Sequence, residues 1–459
     1  MFSLIVSTDS SFGISKYKYI PWNLKEDLRF FRKFTTETYD DNAVIMGYNT
    51  WASLPKKPLD KRLNIVISRN HTKELSELNK DIEVYSSMEE FLKTRNHGNM
   101  HYWVIGGRKI YEWFLENRLI SDIYHTLINE DYKCDNFIPF MKKHILEVPF
   151  EEIYKTNVFT ITRYQCNNKE EQQILNILKE IIYNGNYREE RTGTGTISHF
   201  GFRAEFDLSN NTFPLMTTRN HSLKWIFEEL MWILRGQTDV SVLEKKGINI
   251  WSPNSSQDFI NKSKLDISLF QGDIGATYGF QMRHYGADYV NCKSKYTSGV
   301  DQLSYVVDLL RNNPTSRRII ISLWNPNDLK KATLPPCLLW YQFYVRNGYL
   351  DCQFMNRSSD TSVAGGWNVC TASLLVYFLA NLTDIKPGRL IWVLGDAHIY
   401  KNNVSATKEL LKRRPTQFPK LFLNKKLTSL DDIMDLKFED IKLVGYKPQR
   451  PNISFAMNA

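Results

Sequence analysis

The chain has 459 residues, 42% hydrophobic and 24% charged, which is the composition of a packed globular protein and excludes a disordered or fibrous one. At a usual domain size of about 150 residues, two or three folded units are expected and one small core is excluded. Lys and Arg total 59 against 50 Asp and Glu; residues 1–168 hold 23 basic and 22 acidic side chains, leaving 36 and 28 downstream, so the positive surplus belongs to the second part of the chain.

That surplus suits anionic ligands. It does not single out nucleic acid, because no basic run or arginine-rich helix accompanies it, and weak RNA binding stays an open alternative. The six cysteines, Cys134, Cys166, Cys292, Cys337, Cys352 and Cys370, form no C-x-x-C pair and lack the His spacing of a zinc site. Reduced thiols, a cytoplasmic location and no metal are expected. The amino end, Met1 to Asp9, lacks the basic region and long apolar run of a signal peptide and reads as a strand.

In chain order, strands are predicted at Ser3–Ser7, Ala43–Met46, Leu63–Ser68, Tyr102–Ile105 and Asp122–Ile128, with helices at Leu24–Thr35 and Arg108–Glu116. Ser86-x-x-Glu89 reads as a capping box opening a helix over Ser87–Arg95, and Phe150–Lys155 with Val158–Tyr164 as a hairpin. The polar run from Cys166 to Glu171 separates this α/β domain, residues 1–166, from a larger α+β domain, residues 170–459. The second domain opens with an amphipathic helix over Gln173–Tyr183. Helices at Leu223–Arg235, Gln302–Asn312, Thr371–Leu382 and Val404–Arg413 then interleave with strands at Ile319–Trp324 and Leu338–Val345. Residues 361–383 carry no charge, but Gly365-Gly366, Asn368 and Asn381 interrupt them, so a buried core helix over 370–382 is expected instead of a membrane span.

The first domain holds one candidate site. Asp27 and Phe31 share a helix face at i, i+4, which sets a carboxylate beside apolar neighbours. Such an acid is either a first-turn surface residue or a group held for a ligand's charge or proton. Val104-Ile105-Gly106-Gly107-Arg108-Lys109-Ile110-Tyr111 puts two glycines between a strand and a helix, where backbone N–H groups can approach a phosphate. Val44-Ile45-Met46-Gly47 supplies another strand ending in glycine, and Ile65-Val66-Ile67-Ser68-Arg69 a strand tipped by a cation.

From Met1 to about Tyr164 these motifs, in this order, resemble the dihydrofolate reductase family, whose fold is an α/β domain with a mixed twisted sheet. The resemblance implies NADPH-dependent reduction of dihydrofolate, with Asp27 bonding the pterin and assisting protonation of N5. It implies that Ile5, Phe31 and Leu59 line the folate pocket, that Arg62 takes the tail carboxylate and that Thr126 supports Asp27. Gly47, Thr50, Ser68, Arg69, Gly106, Gly107, Lys109 and Tyr111 would serve the cofactor. Tyr48-Asn49 stands where the family has a basic residue, so 2′-phosphate recognition falls to Arg69 and Lys109.

The second domain holds another site. Leu334-Pro335-Pro336 pins Cys337 at the start of an apolar strand. Arg191, Arg317-Arg318 and Arg357-Ser358 supply guanidinium forks suited to a phosphate monoester and to a thiolate. Asn368 offers a donor and an acceptor to a pyrimidine edge, and His398 and Tyr400 share a strand face.

With Arg191-Thr192-Gly193-Thr194-Gly195-Thr196, Pro214-Leu215-Met216-Thr217-Thr218, Tyr278-Gly279 and Gly395-Asp396-Ala397-His398-Ile399-Tyr400, the set resembles the thymidylate synthase family over about residues 170–459. The resemblance implies an α+β domain that methylates dUMP with 5,10-methylenetetrahydrofolate, Cys337 attacking C6. Glu229 would order water for proton transfer and Tyr278 would assist loss of the C5 proton. Arg191, Arg357 and Ser358, with Arg317 and Arg318 from a second subunit of a homodimer, would hold the phosphate. Asn368 would read uracil, His398 and Tyr400 the ribose, and Trp251, Asn254 and Asp360 the folate. Leu338, Met282 and Ser252 depart from the family's residues, as does Val363-Ala364-Gly365-Gly366-Trp367 from its Leu-Gly-x-Pro-Phe run; Arg219, in place of a lysine, would keep a cation near the glutamate tail.

Together the two likenesses imply one enzyme, an oxidoreductase joined to a methyltransferase, because the second domain releases the dihydrofolate that the first consumes. The alternatives are a binding or regulatory protein with one decayed site, and a pyrimidine nucleotide hydroxymethylase in the second domain.

Overall fold

Short runs of β-branched and aromatic residues separated by helical patterns build the first sheet. The computed structural model describes residues 1–458 except 79, 80, 99, 147 and 190–192 and the side chain of Leu78. Eight strands lie in the order Ile82–Tyr85, Leu63–Ile67, Asn42–Gly47, His101–Gly106, Phe2–Thr8, Ile120–Ile128, Phe159–Gln165 and Phe150–Lys155. The first six are mutually parallel and the last two pair antiparallel, giving a mixed sheet. The inner strands are buried at all but one position each at most, as parallel strands covered on both faces are.

This sheet belongs to a compact unit of Met1–Asn168 with Pro415–Lys420 and Leu443–Lys447; a second unit comprises Lys169–Arg414, Leu421–Lys442 and Pro448–Ala459. The second unit has a six-stranded sheet ordered Asn186–Arg188, Thr196–Asp207, Lys386–Tyr400, Tyr349–Asp360, Leu338–Arg346 and Ile320–Ser322. Tyr349–Asp360 and Lys386–Tyr400 are parallel and joined by the helix Thr361–Leu382. Long helices over Lys169–Asn184, Leu223–Leu234 and Gln302–Asn312 complete the α+β layer.

The helix expected over Gln173–Tyr183 runs Lys169–Asn184 and the one expected over Val404–Arg413 stops at Leu410, and two further helices differ at their caps or starts. The capping residue of Met88–Thr94 is Ser87, whose side chain accepts from Glu90 N, while the Glu90 carboxylate accepts from Ser86 N and Oγ; the box is displaced by one residue. The central helix begins at Thr361, ten residues before Thr371, because Asp360 caps it by accepting from Val363 N at 3.3 Å. Gly365 and Gly366 cost helix propensity, about 1 kcal/mol each. They are retained where a side chain would not fit: a Cβ on Gly366 would come 2.5 Å from Met216 Sδ, and one on Gly365 3.0 Å from the Trp392 ring. Although long and apolar, this helix is mostly buried within its own unit, as a core helix is.

Candidate active sites

Neighbouring parallel strands end on the same edge of the sheet, and in the first unit those ends are Ile67, Gly47, Gly106 and Thr8, with Ser68 the next residue after Ile67. The carboxyl edge of an open parallel sheet is where such folds bind ligands. Ser7 is in register with Thr126 of the strand Ile120–Ile128, and Thr126 Oγ1 donates to Asp27 Oδ1 at 2.6 Å. Asp27 lies in the first turn of the helix Lys25–Glu37. Burial pushes its carboxyl above the ordinary value, and the hydroxyl of Thr126 pulls it partly back. Ser7 was not predicted; it lies two residues beyond Ile5 on the same strand, hence on the same face.

Ile5, Phe31 and Leu59 meet in one apolar cluster with Trp51. Arg62 closes its end: its guanidinium sits 5.8 Å from the Phe31 ring centroid, Nη1 donates to Thr35 Oγ1, and Nε donates to the Asp60 carbonyl at 2.9 Å. Gly47 and Gly107 open the helices Tyr48–Ser53 and Arg108–Glu116 without a side-chain cap, so the first amide groups of each remain available to an anion. A Cβ on Gly107 would stand 3.4 Å from Thr50 Oγ1, and Gly106, at φ +119°, lies directly over the Tyr111 ring. Tyr111 is buried and spends its hydroxyl on the Ile5 carbonyl at 3.0 Å, so it supports the floor of this cradle. Ser68 is buried and accepts from His71 N, whereas Arg69 and Lys109 are exposed cations. Tyr48 stacks on His71, ring centroids 3.7 Å apart, which adds an unpredicted imidazole beside Arg69. Glycine-lined amides flanked by free cations fit a phosphorylated dinucleotide such as NADPH.

In the second unit, Cys337 is exposed just before the strand Leu338–Arg346. Its N–H donates to Tyr278 Oη at 2.8 Å and its carbonyl accepts from Arg357 N at 2.8 Å. The Arg357 guanidinium donates to the Pro336 and Pro335 carbonyls at 2.8 and 3.0 Å and lies 5.4 Å from the Trp324 ring centroid, which pins a cation to the two residues before the thiol. Glu229 is held inside the helix Leu223–Leu234, where Trp251 Nε1 donates to Oε1 at 2.8 Å and Trp367 Nε1 to Oε2 at 2.5 Å. Burial raises its pKa and the two indoles oppose the rise. Tyr278 is pushed far above the ordinary phenol value by burial, then by its neighbour Cys337.

His398 and Tyr400 end the strand Lys386–Tyr400 with ring centroids 5.5 Å apart, and His398 Nδ1 pairs with Asp396 Oδ1 at 3.2 Å. Ser358 and Asp360 lie opposite Asp396 and His398 in register. Asn368 is half-buried on the central helix and its side-chain amide has no hydrogen bond among the described residues, and Nδ2 of the buried Asn254 likewise has no partner there. Arg317 and Arg318 are exposed, and among the described residues their guanidinium groups bond to nothing. Arg191 lies outside the described residues. Arg219 is turned inward onto the Ser362 and Val363 carbonyls and packs 4.1 Å from the Phe455 ring centroid. The missed residue here is Trp367, which sequence reading registered only as a departure from phenylalanine.

A family model described as dihydrofolate reductase matches residues 1–168, and one described as thymidylate synthase matches residues 172–459. A bifunctional dihydrofolate reductase-thymidylate synthase of Zea mays is 35% identical over 98% of this chain and 95% of its own length. One from Paramecium tetraurelia is 36% identical over 97% and 96%, and one from Acanthamoeba polyphaga mimivirus 32% over 99% and 98%. The chain belongs to the bifunctional dihydrofolate reductase–thymidylate synthase family. As a member it joins an NADPH-dependent oxidoreductase to a methyltransferase that uses 5,10-methylenetetrahydrofolate and dUMP, in line with the α/β and α+β folds of its two units. The single-activity and hydroxymethylase alternatives are not favoured. No cluster of His, Cys, Asp and Glu suited to a metal occurs among the described residues.

Proposed function

We propose that Cys337 is the nucleophile of the synthase and Asp27 the proton-handling acid of the reductase. In the second unit the Cys337 sulfur adds to C6 of dUMP, and C5 becomes nucleophilic toward the methylene carbon of the folate. Tyr278, bonded to the Cys337 amide, assists loss of the C5 proton, and Glu229 orders the proton path. Arg357, Ser358 and Arg191 hold the phosphate with the partner subunit's Arg317 and Arg318. Asn368 reads the uracil edge, His398 and Tyr400 bind the ribose, and Trp251, Asn254 and Asp360 face the folate. The observation that carries this reading is the Arg357 guanidinium fixed to the carbonyls of Pro335 and Pro336, which ties a permanent cation to the two residues that precede Cys337.

In the first unit, bound NADPH supplies the hydride. Asp27 bonds the pterin and assists protonation of N5, with Thr126 fixing its orientation. Ile5, Phe31 and Leu59 exclude water, and Arg62 pairs with the tail carboxylate. The amides at Gly47, Gly106 and Gly107, with Thr50 and Ser68, cradle the dinucleotide phosphates, while Arg69 and Lys109 supply charge for the 2′-phosphate and Tyr111 supports Gly106.

A homodimer formed through the second unit is part of this proposal. Trp340, Gln342, Tyr344, Gln353, Met355, Ile391 and Val393 alternate with core residues along paired strands, so one sheet face is partly open and rich in apolar side chains. A cytoplasmic setting is proposed from the six free cysteines. The test is a coupled assay. With dUMP and methylenetetrahydrofolate the purified chain should form dihydrofolate, and added NADPH should then be consumed; failure of either step refutes the assignment for that unit.

A further inference from the structure

Trp367 has no role in the scheme above, yet its indole touches the synthase machinery. Its Nε1–H donates to Oε2 of Glu229 at 2.5 Å, while that of Trp251 donates to Oε1 at 2.8 Å. The three residues come from separate places: Glu229 from the helix Leu223–Leu234, Trp251 from the turn before Pro253–Ser255, and Trp367 from the second turn of the helix Thr361–Leu382. A carboxylate has about four acceptor positions on its two oxygens. One indole on each oxygen fixes the carboxylate plane and leaves acceptor capacity on both for water or substrate. Because an indole N–H only donates, neither ring can relay a proton, and the pair favours the carboxylate as an acceptor. The neighbouring glycine makes the approach possible, since a Cβ on Gly366 would collide with Met216 Sδ at 2.5 Å. A phenylalanine in place of Trp367 would keep the aromatic bulk and lose the donor.

We propose that Trp367 is a positioning residue of the synthase reaction, clamping Glu229 with Trp251 in the one orientation that serves proton transfer from the nucleotide ring. This rests on the role proposed for Glu229. Among the described residues the ionisable groups that face this carboxylate are Tyr278, from the helix Tyr278–His284, and Tyr341, from the strand Leu338–Arg346, while the buried His221 sets its ring edge-on to the Trp367 indole, centroids 6.4 Å apart.

The test is Trp367→Phe in the full chain, with reductase activity and dUMP binding measured alongside. A hydrogen bond to a buried charge is strong enough that kcat for dTMP formation should fall about 10- to 100-fold, and the acid limb of its pH profile should rise by about one to two units. The KM for dUMP should change by less than about twofold, because the indole N–H of each clamping residue is spent on Glu229. An unchanged kcat and acid limb would overturn the proposal, as would a lower kcat with the acid limb unmoved, which marks packing alone. Should the variant fail to fold, the unmutated chain carrying ¹⁵N-labelled tryptophan gives the answer: two indole N–H resonances should titrate with the midpoint of the acid limb, and none moving there rejects the clamp. Absence of dTMP formation by the unmutated chain is a separate result and counts against the synthase assignment itself.

Discussion

Thr126 and Asp27, 99 residues apart in the chain, are joined by a hydroxyl–carboxylate hydrogen bond of 2.6 Å. The bond favours the charged form and so opposes the burial that raises the Asp27 pKa. Thr126→Val removes the donor while keeping the shape. The expected result is a further rise in the Asp27 pKa, seen as a shift of the reductase pH profile to higher pH by about one unit. Initial rates of NADPH consumption across pH check it, and an unmoved midpoint takes Thr126 out of the site.

Asp27→Asn separates chemistry from stability. Loss of a positioned acid should lower reductase turnover about 10²- to 10⁴-fold while dTMP formation persists. The folded-state pKa of Asp27 lies above the unfolded value, so its contribution to stability is complete below about pH 3.9 and is lost as pH rises through the folded pKa. At neutral pH the native carboxylate is a desolvated charge, and an amide that still accepts from Thr126 is not. The variant should therefore melt at a higher temperature than the native chain at pH 7, with the gain vanishing at acid pH; calorimetric scans at the two pH values decide.

Cys337→Ser keeps the size of the nucleophile and removes its reactivity. dTMP formation should fall by at least about three orders of magnitude, with reductase rates unaltered. Intact-mass measurement after incubation with 5-fluoro-dUMP and methylenetetrahydrofolate should show a covalent adduct on the native chain and none on the variant. An adduct on the variant, or on a peptide lacking residue 337, removes Cys337 from its role.

What was legible depended on distance along the chain. The helix Arg108–Glu116 and the strand ends at Gly47 and Gly106 follow from local periodicity and glycine placement, and they locate the first site. Cys337 was marked by two prolines beside it. The Glu229–Trp367 bond was not legible, because it joins residues 138 apart and exists only once the central helix starts at Thr361. Gly365 and Gly366 read locally as breakers, yet Met216 and Trp392 make glycine the residue that packs. The strands Thr196–Asp207 and Tyr349–Asp360 mix polar, glycine and charged residues, so neither period stands out; their partners decide their structure. Asp360 has a double reading, since the carboxylate assigned to folate is also the cap of the central helix.

The exposed pair Arg317 and Arg318 leads to the sharpest test of assembly. Their guanidinium groups have no bonding partner among the described residues of their own chain, in contrast to Arg357, whose Nε and Nη2 donate to the carbonyls of Pro336 and Pro335 and leave Nη1 to face a ligand. If each pair completes the phosphate site of a second subunit, an Arg318→Ala chain and a Cys337→Ser chain should each be nearly inactive as synthases when pure. Mixed and allowed to exchange subunits, half of the dimers become hybrids, and in each hybrid one site combines an intact Cys337 with an intact Arg318. Random exchange of equal amounts should thus restore about one quarter of the native dTMP-forming activity. Activity that stays at the sum of the two pure variants, with exchange verified by differently tagged chains, would show that each chain builds its phosphate site alone.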